Sequence, residues 1–121
     1  DNISDLDVSG MIRFHREQEA DLTLSFFKLE LPLAYGVWDE GGKFEEKPVF
    51  SHAVLMGYYL IRGQILRRYL MPDQPCNFPD VIWHCIQDEC KIVRWNHEGF
   101  WYDVGNPQDL ARADEAMRGS L

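Results

Sequence analysis

The sequence is poor in positive charge, in cysteine and in long apolar runs, and each shortage removes a class of protein. Twelve lysines and arginines face twenty aspartates and glutamates over 121 residues, a formal charge of -8. Binders of nucleic acid polymers or anionic membranes present a basic surface, which this balance does not supply. A nucleotide needs only a few local cations and stays possible. The three cysteines, Cys76, Cys85 and Cys90, are too few for a secreted disulfide scaffold. No zinc spacing is completed around them and His84, so they read as reduced thiols in or near a core. No apolar run approaches the roughly 18 residues of a membrane span, and no targeting segment is recognisable. A cytoplasmic location without a membrane partner is the expectation. The Walker phosphate loop, G-x-G-x-x-G, H-E-x-x-H and G-x-S-x-G are all absent.

What is present is an ordinary globular composition, 45% apolar and 26% charged, without repeats or linkers. A chain of this length fits one domain. Helices and strands alternate along it. A helix is expected over 5–20, with Val8, Met11, Ile12 and His15 on one face and Asp7 as cap. A strand follows over 22–29, then two short strands at 36–39 and 43–47 around Glu40-Gly41-Gly42. The run 53–61 is almost wholly apolar and reads as a central strand covered on both faces. Short helices are expected over 64–70 and from Pro79, with strands at 91–95 and 100–104. The last helix opens on Asn106, Pro107 and Asp109 and buries Leu110, Ala113 and Met117. The four tryptophans, Trp38, Trp83, Trp95 and Trp101, read as core. The alternation predicts an α/β fold with helices packed on a mixed, mostly parallel sheet.

Two polar clusters lie where chemistry is possible. Glu45-Glu46-Lys47-Pro48 ends a strand; a lysine there can hold a phosphate as a point charge, and a carboxylate can accept from sugar hydroxyls. On the pattern alone the same cluster reads more readily as an exposed strand end with charges of both signs. Asp103 closes an apolar strand just before a helix, where α/β sheets place ligands. It could bind Mg²⁺, which takes one or two carboxylates plus phosphate oxygens, or it could simply organise the turn with Gly105.

Together these stretches resemble the C-terminal part of the catalytic domain of sugar-1-phosphate nucleotidyltransferases. The resemblance is strongest to the mannose-1-phosphate guanylyltransferase and glucose-1-phosphate thymidylyltransferase type. Asp1-Asn2 is similar to the end of the family's Gly-Asp-Asn strand. Phe14-His15-Arg16 followed by Ala20-Asp21-Leu22-Thr23 resembles its helix-to-strand passage. Tyr35-Gly36-Val37 and Phe44-Glu45-Glu46-Lys47-Pro48 resemble its sugar-binding stretch, and Gly57-Tyr58-Tyr59-Leu60 its Gly-Ile-Tyr strand. The most specific match is Trp101-Tyr102-Asp103-Val104-Gly105-Asn106-Pro107-Gln108-Asp109-Leu110, similar to W-x-D-I-G-T-P-x-D-L.

The resemblance implies the C-terminal half of a Rossmann-like nucleotide-diphospho-sugar transferase domain. It implies transfer of a nucleotidyl group from a nucleoside triphosphate to a sugar-1-phosphate, with release of pyrophosphate. Asp1 and Asp103 would then be the catalytic Mg²⁺ carboxylates, Glu46 would contact the sugar hydroxyls and Lys47 the sugar phosphate. Gly36 would let the sugar approach the backbone. Leu55 stands where the family usually has an asparagine that can hydrogen-bond a hydroxyl, and Asn106 replaces a threonine. The family's N-terminal Gly-rich nucleotide-binding segment has no counterpart here, and Asp1 opens the chain without a methionine. A piece of a longer enzyme, inactive alone, is therefore the expectation. The alternative is a non-catalytic sugar-nucleotide-binding or interaction module, and an exposed sheet edge could make the chain a homo-oligomer.

Overall fold

The structure, a computed structural model, describes residues 1–119 as seven strands and four helices. In chain order these are β1 (Asn2–Ser4), α1 (Val8–Glu17), β2 (Leu22–Pro32), β3 (Gly36–Trp38), β4 (Phe44–Glu46), β5 (Val49–Ile61), α2 (Gly63–Tyr69), α3 (Phe78–Gln87), β6 (Ile92–Asn96), β7 (Trp101–Asp103) and α4 (Pro107–Gly119). The expected α/β class is present, as three small sheets with helices between their strands.

The centre is β2. It pairs with β5 on one side and β6 on the other, and its first four residues, Leu22 to Ser25, are buried. Leu22 and Leu24 pack with Ile65, Val81 and Cys85 from α2 and α3, and this cluster is the core. The apolar run 53–61 is therefore not the central strand. β5 is the outer strand of its sheet among the described residues, and of it only Met56 is fully buried. Apolar content alone does not separate two neighbouring strands; the hydrogen bonds on both edges of β2 do.

The sheet is mixed but not mostly parallel. β2–β6 is the parallel pair, whereas β2–β5, β1–β7 and β3–β4 are antiparallel. The reason lies in the connections. No helix separates β2 from β5, so the chain folds back beside itself; a parallel neighbour needs a longer crossover. The passage through α2 and α3 supplies one, and β6 runs alongside β2.

α1 and α3 end by the same device. The Ala20 N–H donates to His15 O at 3.1 Å and the Cys90 N–H to Cys85 O at 2.9 Å. Glu19 (φ 49°) and Glu89 (φ 55°) take the left-handed position usually held by glycine. With no glycine as stop signal, the periodicity carries the first helix on to residue 20, whereas it ends at Glu17. At its other end Asp7 caps as expected, its Oδ1 accepting from the Gly10 N–H at 2.9 Å. The two helix ends lead side by side into β2 and β6, joined where the Asp21 N–H donates to Lys91 O at 2.9 Å.

β5 is bulged against β2. Leu24 faces Tyr59 but Phe26 faces Leu55, so three residues of β5 around Gly57 stand opposite Ser25 alone. Gly57 has φ +91°, and a Cβ there would lie 2.7 Å from the Asn2 side chain. The bulge thus seats β1 against the larger sheet, and only glycine permits both the dihedral and the approach.

Several expected core residues face outward. Trp38 is 72% exposed and Trp83 64%, while Trp95 and Trp101 are half-buried. On α4 only Ala113 is fully buried; Leu110 and Met117 are exposed. Cys76 is also exposed, Cys85 is buried and Cys90 is half-buried.

Two outcomes follow from this packing. Leu22→Ala is expected to cost about 2–5 kcal/mol in urea denaturation, because it opens a cavity in the core. Leu31→Ala, nine residues along the same strand but half-exposed, is expected to stay within about 0.5 kcal/mol. His15 Nδ1 lies 2.6 Å from the hydroxyl of fully buried Thr23. Burial, reinforced by the Arg62 charge, holds the His15 imidazole below its usual 6.5. Above that pH the ring is neutral in both states and contributes no pH dependence. As pH falls from 6.5 towards the lower folded value, the unfolded chain takes up a proton that the folded chain refuses. Stability is therefore expected to decline in that window, and NMR titration is expected to place His15 below 6.5.

Candidate active site

The chain's first strand pairs with its last. Asn2 faces Asp103, Ile3 faces Tyr102 and Ser4 faces Trp101. Beyond Asn2, the Val104 N–H donates to Asp1 O at 2.6 Å and the Asp1 amine to Val104 O at 3.1 Å. Residues a hundred positions apart thus bring Asp1 and Asp103 to the same end of one ladder. Both are exposed.

Asp103 opens onto a hollow of about 240 Å³ lined by Phe27, Leu29, Trp101, Tyr102, Asp109 and Arg112. The Phe27 and Trp101 rings meet at 5.4 Å and form its apolar wall. Asp109 is held by the start of α4. Its N–H donates to Asn106 Oδ1 at 2.8 Å, and its Oδ2 accepts from Asn106 Nδ2 at 2.7 Å. Asn106 therefore caps the helix as expected. Arg112 belongs to no motif; its spacing of three from Asp109, about one helical turn, is its signal in the sequence.

Among the described residues no group of three or more His, Cys, Asp or Glu side chains could hold a metal alone. Asp1 stands one position beyond Asn2, the partner of Asp103, so the two carboxylates leave the ladder from successive positions, and a hard cation held there would need most of its oxygens from phosphate or water. That donor set suits Mg²⁺ and not zinc.

The other expected site residues lie on the β3–β4 hairpin. Gly36 faces Glu46 across it. The space above Gly36 is taken by the Phe44 ring, 2.9 Å from where a Cβ would sit. Lys43 pairs with Glu45 at 2.7 Å, and that contact raises the Lys43 pKa. Glu46 and Lys47 form no ion pair among the described residues and are exposed. Lys47 has φ 47°, a left-handed backbone for a non-glycine residue immediately before a proline. Its N–H donates to Tyr35 O at 3.2 Å, which holds the conformation. Such strain costs about 1–3 kcal/mol and tends to collect at functional positions. The structure therefore gathers the candidates into two groups on two separate two-stranded sheets, Asp1 with Asp103 and Gly36 with Glu46 and Lys47.

The model of a protein family described as nucleotidyl transferase matches residues 1–119. The chain belongs to the nucleotidyl transferase family. It is 32% identical over 136 aligned residues to glucose-1-phosphate adenylyltransferases of Bacillus thuringiensis and Bacillus anthracis. That match takes in 94% of this chain and 34% of theirs, so the family member described here spans about a third of these relatives. Among solved structures it resembles a Bacillus anthracis protein described as a glucose-1-phosphate thymidylyltransferase, in complex with a sucrose. The TM-score is 0.69 at 22% identity, over 98% of this chain and 52% of that one. HddC from Yersinia pseudotuberculosis matches with a TM-score of 0.63 at 19% identity, covering 97% and 52%. The resemblance read from the sequence is thereby met at the level of family and fold.

The strain at Lys47 gives a direct test of local energetics. Lys47→Gly is expected to leave thermal stability unchanged or raise it by up to about 1 kcal/mol, because glycine accepts positive φ without penalty. Lys47→Val is expected to lower it.

Proposed function

We propose that this chain forms the sugar-phosphate and metal side of a nucleotidyltransferase that joins a nucleoside triphosphate to a sugar-1-phosphate. The observation that carries the reading is the β1–β7 ladder: it unites Asp1 and Asp103 within a chain whose family match runs from residue 1 to 119. The adenylyltransferase relatives supply the substrate class.

In this reading a phosphate oxygen of the sugar-1-phosphate attacks the α-phosphorus of the triphosphate, and pyrophosphate leaves. The protein has little covalent chemistry to perform; it aligns the two reactants and offsets their charge. Lys47 holds the sugar phosphate as a point charge, and Glu46 accepts from sugar hydroxyls. Asp1 and Asp103 would hold Mg²⁺, which when bound offsets phosphate charge. Arg112, on the hollow beside Asp103, adds a planar donor suited to phosphate. Leu55, paired with Phe26 on β5 and exposed, offers no hydrogen bond to a hydroxyl, so sugar recognition falls to the hairpin. No helix among the described residues is long and apolar enough to cross a membrane.

Calorimetric titration of glucose 1-phosphate with Mg²⁺ tests the reading. Binding is expected, weakened about tenfold or more by Lys47→Ala, the loss of one charge-assisted contact. Asp103→Asn is expected to remove its Mg²⁺ dependence. No binding of any sugar phosphate would favour a non-catalytic interaction module instead. The 121-residue chain alone is expected to release no pyrophosphate from a nucleoside triphosphate and a sugar-1-phosphate. Release would show that the nucleotide side needs no further segment.

A further inference from the structure

We propose that Asp5 and His97 are positioning residues that fix the register of β1 against β7, and so the relative placement of Asp1 and Asp103. The inference rests on the proposed role of that carboxylate pair. The ladder has only three residue pairs. A ribbon so short is marginal by itself, and a slip of one residue would turn Asp103 to the opposite face. Its register needs an outside constraint.

Asp5 is the first residue after β1, and Phe100 is the last before β7. The Phe100 N–H donates to Asp5 Oδ1 at 2.9 Å. The same oxygen lies 3.1 Å from His97 Nε2. It also fills the space above Gly99, where a Cβ would sit 2.3 Å from it. Gly99 has φ +140° and leaves that space open. One carboxylate thus engages three of the four residues that lead into β7.

His97 anchors this cluster to the larger sheet. Its side chain is 3% exposed, and Nε2 is 3.0 Å from Phe100 O. Its backbone N–H donates to Phe26 O on β2 at 2.9 Å. The contacts therefore run from the central strand through His97 to Asp5 and the end of β1. With the Asp1–Val104 hydrogen bonds at the opposite end, the ladder is held at both extremities. The side-chain length matters: a glutamate at position 5 would press into Gly99, and an alanine would reach neither Phe100 nor His97.

The test uses Asp5→Ala and Asp5→Asn in the full chain, with amide exchange by NMR and Mn²⁺ uptake by electron paramagnetic resonance. Asp5→Ala is expected to speed exchange of the Val104 amide by about tenfold or more relative to the β2 amides. It is expected to weaken Mn²⁺ binding by about tenfold, the usual scale for outer partners of metal ligands. Asp5→Asn keeps an oxygen for the Phe100 N–H and is expected to restore part of both. Ile65→Val, in the core away from the ladder, is expected to lower stability without changing Mn²⁺ affinity. Unchanged Val104 exchange in Asp5→Ala would overturn the proposal, as would an equal Mn²⁺ loss in Ile65→Val. Absence of Mn²⁺ uptake by the unaltered chain would overturn the carboxylate-pair reading, while the exchange rates still decide whether Asp5 sets the register.

Discussion

The burial of the first half of β2 is the constraint on which the other elements depend. Leu22, Thr23, Leu24 and Ser25 are shielded from water, and their backbone groups must be paired on both edges. β5 satisfies one edge and β6 the other. α2 and α3 then cover the leucines with Ile65, Val81 and Cys85. The two polar side chains of the stretch are satisfied without water, Thr23 by His15 and Ser25 by the Tyr58 carbonyl at 2.7 Å. Because that carbonyl belongs to the bulge beside Gly57, the same buried hydroxyl helps fix the place where β1 docks.

From this centre the site is assembled by sequence-distant contacts. The bulge at Gly57 receives Asn2, His97 reaches back to Phe26, and Trp101 packs on Phe27. These contacts carry the first and last strands to one place and leave Asp1 and Asp103 at its open end. The hairpin bearing Glu46 and Lys47 belongs to a different region. It stands on the outer halves of β2 and β5, where Leu31, Val49 and Phe50 are exposed. Its conformation is set locally, by the Lys47-to-Tyr35 hydrogen bond and the Phe44 ring over Gly36.

How much of this was legible in the sequence depended on whether the signal was local. Asp7 and Asn106 announce helix starts because a cap needs only its own next few residues. The 36–46 hairpin is announced by its glycines. Glu19 and Glu89 conceal two helix ends because a left-handed glutamate leaves no trace in composition. Size and apolarity suggest a core place for Trp38 and Trp83, but they do not report which side of a strand or helix meets another element. The pairing of Asp5 with His97 has no local signal, since neither belongs to a motif and their meeting is a fact of three dimensions. Asp103 and the Glu46-Lys47 pair stand out as charged residues at strand ends, and the family resemblance adds Asp1 and the expected role of each; Lys47 shares its left-handed backbone with Glu19, Asp73 and Glu89.

The sequence by itself determined the family, the α/β class, the order of nearly every element and the residue types able to handle phosphate and a hard cation. These follow from short-range pattern: periodicity, caps, turns and ordered motifs. Only the tertiary structure decided that β2 and not β5 is central, that three of the four strand pairs are antiparallel, and that Asp1 and Asp103 share a ladder end apart from the hairpin. Strand partners and solvent exposure are set by which distant surfaces meet, and no local pattern encodes that meeting.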